Sequence, residues 1–327
     1  MLSMQDRKVN RNGQLHTLVL FPGSLGDFLC LLPALTELAG STPDGVVEVV
    51  ARGELLAMIQ RLPFVCHAFS LDSGIFAQLF SQPGASAEQG LRFSFPVSEI
   101  FSWFGHAHPE VKVNLNRIAP GRVRSFAFFT GQEDCHASAY YLRCVGTKEL
   151  RGPSLLLGEE ERQWLDRYWR LPDWPPSSRV LMVHPGSGGQ KKRWVTEGFV
   201  QICHWWQQQK KGKVLILLGP AEEEEAESWR QIGGKVERNL SLLQVAALLS
   251  RADLYLGNDS GISHLAGAVG ARGIVLFGPT RPQQWRPLGG SLSVIHNAPY
   301  RAALPHVPGI SLAEIPHENV LVSLARL

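Results

Sequence analysis

Apolar residues fall along this chain in short blocks. Residues 15–21 (LHTLVLF) are apolar on both faces and stop at Pro22-Gly23, as a strand buried in a parallel sheet does. Residues 27–38 (DFLCLLPALTEL) then take a helical pattern, which Pro33 is expected to kink or split. Residues 45–51 (GVVEVVA) read as a second strand. Strand, glycine turn, helix and strand make a βαβ unit, whose helices cover a parallel sheet. Between residues 61 and 129 the pattern weakens. Alternation at 91–95 (LRFSF) suggests a strand, and 81–90 (SQPGASAEQG) suggests a loop. Residues 136–145 predict a helix closed by Gly146.

Three prolines at 171–178 (LPDWPPSS) mark a linker, after which the alternation restarts. Strands are expected at 179–184, 213–218, 254–256 and 273–277, with helices at 196–209, 242–250 and 260–269 and an acidic helix after Gly219-Pro220. Each half opens with a strand and a glycine turn. The fold class is therefore α/β, with two Rossmann-like domains facing a central cleft and ligands at the carboxyl ends of the strands.

Length agrees: 327 residues correspond to two domains at about 150 each, here 1–170 and 171–310. Net charge is +3 with 19% charged and 44% hydrophobic residues, which suits two buried cores and argues against a dedicated nucleic-acid binder. The five cysteines (30, 66, 135, 144, 203) are odd in number and include no CxxC pair, so neither a disulfide framework nor a zinc site is expected. The first residues carry charge where a signal peptide is apolar, and no apolar run approaches about 20 residues. A soluble, cytoplasmic protein is the expectation.

Four strand-end segments could carry chemistry. In Pro22-Gly23-Ser24-Leu25-Gly26-Asp27, glycines allow a tight turn and Asp27 arrives at a helix start, where it could serve a ligand or act as an N-cap. The spacing is GxxG, which is not a dinucleotide fingerprint. His184-Pro185-Gly186-Ser187-Gly188-Gly189-Gln190-Lys191-Lys192-Arg193-Trp194 is either a phosphate cradle of amides and lysine or a solvated surface loop. In Gly257-Asn258-Asp259-Ser260-Gly261-Ile262-Ser263-His264, Ser260 and Gly261 would present N–H groups to a pyrophosphate, with His264 one turn in. Phe277-Gly278-Pro279-Thr280 is a plain turn or a hydroxyl donor to the ligand. The acidic run 222–225 is a solvated helix start or a ribose clamp, and Trp194 and Trp285 flank the glycine turns.

Together GSLGDFLCLLPAL, HPGSGGQKKRW, LGPAEEE and GNDSGISHLAGAVGARGIVLFGPT, in that order, resemble the ADP-heptose:lipopolysaccharide heptosyltransferases of glycosyltransferase family 9. The resemblance implies a GT-B fold, with the acceptor in the first domain and the donor in the second. It also implies metal-independent transfer with inversion, no cofactor, and residues 311–327 forming a helix that packs back on the first domain. Asp27 then matches a general base, and Lys192 the lysine on the donor diphosphate. Ser187 and Gly188 would add loop contacts. Asp259, Ser260, Gly261 and His264 would hold the diphosphate and sugar, and Thr280 would add a hydroxyl. Glu223 or its neighbour Glu222 would bind ribose, and Leu240 would lie beside the adenine. The implied partners are a nucleotide-diphosphate sugar, ADP-heptose first, and a lipopolysaccharide-core or related glycan acceptor, with at most peripheral contact at the inner face of the cytoplasmic membrane. Two departures stand out: Val195 replaces the proline that usually follows the tryptophan, and the first domain lacks a DVVIDLQG-like strand. Lys112, Arg117, Arg122 and Arg124 form a basic stretch that either meets an acidic acceptor or is solvated. The alternatives are a nucleotide-sugar epimerase on the same scaffold and a non-catalytic nucleotide-sugar binding protein.

Overall fold

Two parallel sheets organise the chain in a computed structural model, which describes residues 16–42, 46–81, 93, 95–131, 134–170, 175, 177–219, 222, 225–296 and 312–327. The contacts divide it into two units. The first is Met1–Ser24, Leu31–Glu133 and Ser138–Leu150; the second is Leu25–Cys30, Asp134–Ala137 and Arg151–Leu327.

The first unit is built on β1 (His16–Leu20), α1 (Leu25–Ser41) from Leu31 onward, β2 (Val47–Ala51), α2 (Leu56–Ile59), β3 (Val65–Ser70), β4 (Val97–Ser102), α3 (Pro109–Ile118), β5 (Val123–Ser125) and α4 (Ala137–Cys144) from Ser138 onward. Its sheet order is β3-β2-β1-β4-β5, every pair parallel. β1 lies at the centre and is buried along its whole length, which is why its sequence shows no polar face. α1 runs through Pro33 without splitting. Leu18, Leu20, Val50, Ile100, Val111 and Leu115 form the core under α3. Gly146 follows α4 at φ +92°, the left-handed geometry that glycine adopts without a Cβ penalty. Of the expected 91–95 strand only Phe93 and Phe95 are described, and neither is in a strand; the 81–90 loop lies outside the described residues except Ser81.

The second unit contains α5 (Glu159–Trp169), β6 (Val180–His184), α6 (Thr196–Gln209), β7 (Lys213–Leu217), α7 (Ala226–Arg230), β8 (Lys235–Glu237), α8 (Leu242–Arg251), β9 (Leu254–Asn258), α9 (Gly261–Ala268), β10 (Arg272–Phe277), α10 (Pro282–Trp285), β11 (Ser291–His296) and α11 (His317–Ala325). All its pairs are parallel, in the order β11-β10-β9-β6-β7-β8. Written from β8, this is the 3-2-1-4-5-6 order of a doubly wound dinucleotide fold, whose direction reverses between β6 and β9.

Two features of the contact grouping bear on the domain limits. Residues from Arg151 onward group with the second unit, because α5 packs on α8, with Arg251 over the Trp169 ring and Nη1 3.4 Å from Asp166 Oδ1. Residues 312–327 group with the second unit. Leu312, Ile315, Val320 and Leu324 are buried in the core of the second, with α11 against α6, and Trp194 Nε1 donates to the Ile315 carbonyl at 3.0 Å. Burying four apolar side chains is worth several kcal/mol at about 1.5–3 each, which holds the segment there. No helix among the described residues is long and apolar enough to cross a membrane.

Candidate active site

β6 and β9 end side by side at the reversal point, and a buried amide side chain helps join their loops. Asn258, last in β9 and fully buried, donates from Nδ2 to the Pro185 carbonyl at 2.7 Å and accepts at Oδ1 from the Trp194 N–H at 3.1 Å. A buried amide with both ends satisfied fixes the path of two loops at once. Gly198 lets α6 approach: a Cβ there would lie 2.5 Å from Trp194 Cζ2. The Ser187 hydroxyl donates to the Asp259 carbonyl at 2.8 Å. These contacts bring the 185–194 loop onto the start of α9.

The charged centre follows from that geometry. Asp259, 5% exposed, accepts at Oδ2 from Lys192 Nζ at 2.9 Å and from the Thr280 hydroxyl at 2.5 Å. Its carboxylate thus holds a cation from the β6 loop and a hydroxyl from the β10 loop. The arrangement makes Asp259 the group that orients Lys192 and Thr280.

Ser260 caps α9, its Oγ accepting from the Ser263 N–H at 3.4 Å. Gly261 and Ile262 precede the first helical hydrogen bonds, so their N–H groups stay outside the ladder and the positive end of the helix dipole sits there. Ser263, buried, donates to the Asn258 carbonyl at 2.6 Å and so takes its remaining hydrogen bond from the Tyr255 hydroxyl at 2.9 Å.

The start of α1 belongs to this neighbourhood. Residues 25–30 group with the second unit. A Cβ on Gly261 would lie 3.0 Å from Leu25 Cβ and 3.2 Å from the Gly26 nitrogen, and one on Gly26 would lie 3.2 Å from His264 Cδ2. Two helix N-termini therefore meet where Lys192 arrives, an arrangement that favours an anion. Asp27 is half-buried in the first turn of α1, not at its N-cap.

His264, 4% exposed, has its Nδ1 3.7 Å from Cys30 Sγ. Burial lowers its pKa from 6.5 to about 4; the Asp259 carboxylate opposes the shift, and His136 and Lys192 add to it. At neutral pH it is an uncharged hydrogen-bonding ring, not a cation. Because the folded value lies below the unfolded one, the neutral ring's contribution is complete above pH 6.5. It is lost as pH falls toward 4, where the unfolded chain takes up a proton that the folded chain refuses. That gap corresponds to about 3 kcal/mol. Urea unfolding is expected to show a smaller stability difference between pH 7 and pH 4.5 in His264→Gln than in the parent; an equal difference would show that His264 does not titrate this way.

The remaining assignments separate. Glu222, offered as a ribose clamp, is buried and committed to the protein: Oε1 meets Arg193 Nη2 at 2.5 Å and Oε2 accepts from the Gly219 N–H at 3.0 Å. Its carboxylate neutralises Arg193. Glu223 lies outside the described residues. Gly188 is exposed, with open space where a Cβ would be. Leu240 is half-buried beyond the end of β8, just before the Ser241 capping box of α8. Asn258 and Arg193 are the residues that sequence reading passed over. Asn258 stands inside the GNDSG segment, and an amide at the end of an apolar strand was its signal.

Comparison with known proteins adds independent findings. Residues 153–306 match the family described as glycosyltransferase family 9 (heptosyltransferase), a span that includes Ser187, Lys192, Asp259 and Thr280 but not Asp27. Lipopolysaccharide heptosyltransferase 2 of Escherichia coli (strain K12) is 21% identical over 315 residues, covering 85% of this chain and 87% of that protein. Among solved structures, a family 9 glycosyl transferase from Veillonella parvula DSM 2008 superposes with a TM-score of 0.75 at 19% identity, covering 97% of this chain and 98% of the other. The E. coli heptosyltransferase WaaC with ADP-2-deoxy-2-fluoro heptose gives 0.67 at 17%, covering 95% and 99%.

Proposed function

We propose that this chain, which belongs to glycosyltransferase family 9 and is a glycosyltransferase, moves a heptose-like sugar from ADP-heptose to a lipopolysaccharide-core or related glycan, with inversion and without a metal in the transfer step. The observation that carries the reading is the meeting of Lys192, Thr280 and the α9 amides with the Asp27-bearing start of α1. A nucleotide-sugar diphosphate needs cationic and N–H donors where negative charge grows as it departs, and an acceptor hydroxyl needs a base. In this mechanism the hydroxyl oxygen attacks the anomeric carbon, Asp27 takes its proton, and the carbon–oxygen bond to the diphosphate breaks with its electrons. Lys192 and the N–H groups of Gly261 and Ile262 neutralise the leaving group. His264, neutral, offers one hydrogen bond to the donor. The ADP analogue on WaaC supports adenine as the base, and the similarity to lipopolysaccharide heptosyltransferase 2 supports the acceptor class. Peripheral membrane contact would follow from a lipid-anchored acceptor.

Thermal-shift measurements with ADP-, UDP-, GDP- and dTDP-sugars are expected to give the largest rise in Tm with ADP-heptose. A donor at 100 times its Kd adds about 2.7 kcal/mol to folding stability. ADP release should then depend on a heptose-deficient core glycolipid. Sugar released or epimerised at the same rate without acceptor would overturn the transferase reading.

A further inference from the structure

A second group of chemistry-bearing side chains lies in the first unit. Glu48 stands within the valine run of β2 and is fully buried. A lone ionised carboxylate is costly there, so its partners matter. Oε1 is 2.6 Å from His16 Nδ1 on β1, and Oε2 accepts from the His67 N–H at 2.8 Å. The His67 ring approaches as well, with Nδ1 3.2 Å from Oε2. Cys66 completes the set: one ligand atom from each of Glu48, Cys66 and His67 lies within 4.8 Å of the others.

Neighbouring residues of a regular strand project to opposite faces, so Cys66 and His67 should not serve one point. The register explains why they do. Val47 pairs with Val65 and Val49 with Ala68, so the single residue Glu48 faces both Cys66 and His67. Such a bulge re-aims side chains and is typical of places where a strand is adapted to a task.

We propose that Glu48, Cys66 and His67 bind a divalent transition ion of the zinc class, with His16 behind Glu48 orienting the carboxylate. Thiolate, imidazole and carboxylate together suit zinc, whereas magnesium and calcium take oxygen donors. Tetrahedral zinc holds its nitrogen and oxygen ligands about 3.3 Å apart, close to the separation of His67 Nδ1 and Glu48 Oε2. The sulfur would need to come within about 3.6 Å of the other ligands, a closure of about 1 Å from the outer bound. The His67 side chain is 58% exposed, which provides an entry path and leaves a fourth position for water. His16 plays the part of the outer partner that fixes a ligating carboxylate. The Phe95 ring, parallel to His67 within 4° and 4.8 Å from the His16 ring centre, walls the site with apolar surface. Bound there, the ion would clamp edge strand β3 to β2 and take no part in the transfer proposed above.

The test is cobalt(II) titration of the chelator-treated, full-length protein. One equivalent is expected to give a thiolate-to-cobalt charge-transfer band and intense tetrahedral visible bands, both removed by added zinc. Cys66→Ser should lose the charge-transfer band, His67→Ala should weaken affinity at least tenfold, and His16→Asn should weaken it about 10–100-fold while keeping the band. Cys66 is half-buried and His67 exposed, so both variants should keep the parent's circular dichroism. Zinc should also raise the Tm of the parent but not of Cys66→Ser. A parent without tetrahedral bands would overturn the proposal, as would bands that survive both Cys66→Ser and His67→Ala. A Glu48–His16 ion pair serving packing alone predicts those outcomes.

Discussion

Asp27→Asn is expected to lower kcat by about 10²–10⁴, the contribution typical of a positioned base, with donor Kd changed less than about twofold. Asparagine keeps the size of the side chain and its place in the first turn of α1 but cannot accept the acceptor's proton. The measurement is steady-state transfer beside calorimetric titration with the donor. The start of α1 touches Gly261 and His264, so a packing defect would disturb donor binding as well. Lost turnover with intact donor affinity therefore isolates proton transfer. Wild-type turnover in Asp27→Asn would remove Asp27 from the mechanism.

Lys192→Ala should act on both steps. Loss of a charged hydrogen bond to the diphosphate is expected to weaken donor binding about 10–100-fold. Loss of charge stabilisation at the departing oxygen should lower kcat by about 10²–10³. The substitution also strips the buried Asp259 carboxylate of its cation, so some destabilisation will accompany it. Lys192→Ala combined with Asp259→Asn separates these effects. The pair should recover the Tm lost in the single variant, because no uncompensated charge remains, while donor affinity stays weak. Recovery of donor affinity together with Tm would show that Lys192 serves only to neutralise Asp259.

The legibility of this chain varied with burial. β1, β2, β6, β7 and β10 are central or near-central strands, mostly apolar, and their sequences announce them. α6, read at residues 196–209, occupies those residues. Edge strands were harder. β5 and β8 have three residues each, too few for a periodic signal. β3 carries a bulge opposite Glu48, which breaks the alternation that a reader looks for. β11 alternates as SLSVIH, yet a series that had already filled one domain gave no reason to extend it. At the site, the glycine turns and the candidates Lys192, Asp259, Ser260 and Thr280 were readable as strand-end residues of one unit. Their division of labour was not. Ser187 spends its proton on a carbonyl, Glu222 spends its charge on Arg193, and Asp259 holds the donors in place.

Local rules acting over a few residues were enough to determine the alternating architecture, the glycine turns at strand ends and the family resemblance. Strand burial and turn geometry are written in neighbouring side chains. What joins residues far apart in the chain was decided only by tertiary structure. The pairing of Lys192 with Asp259, the company that residues 25–30 keep with α9, the seat of α11 on α6, and the convergence of His16, Glu48, Cys66 and His67 are of this kind. Each depends on sheet order and register, which a strand's own sequence does not contain, because the same apolar face can pack against many partners and only the assembled sheet selects one.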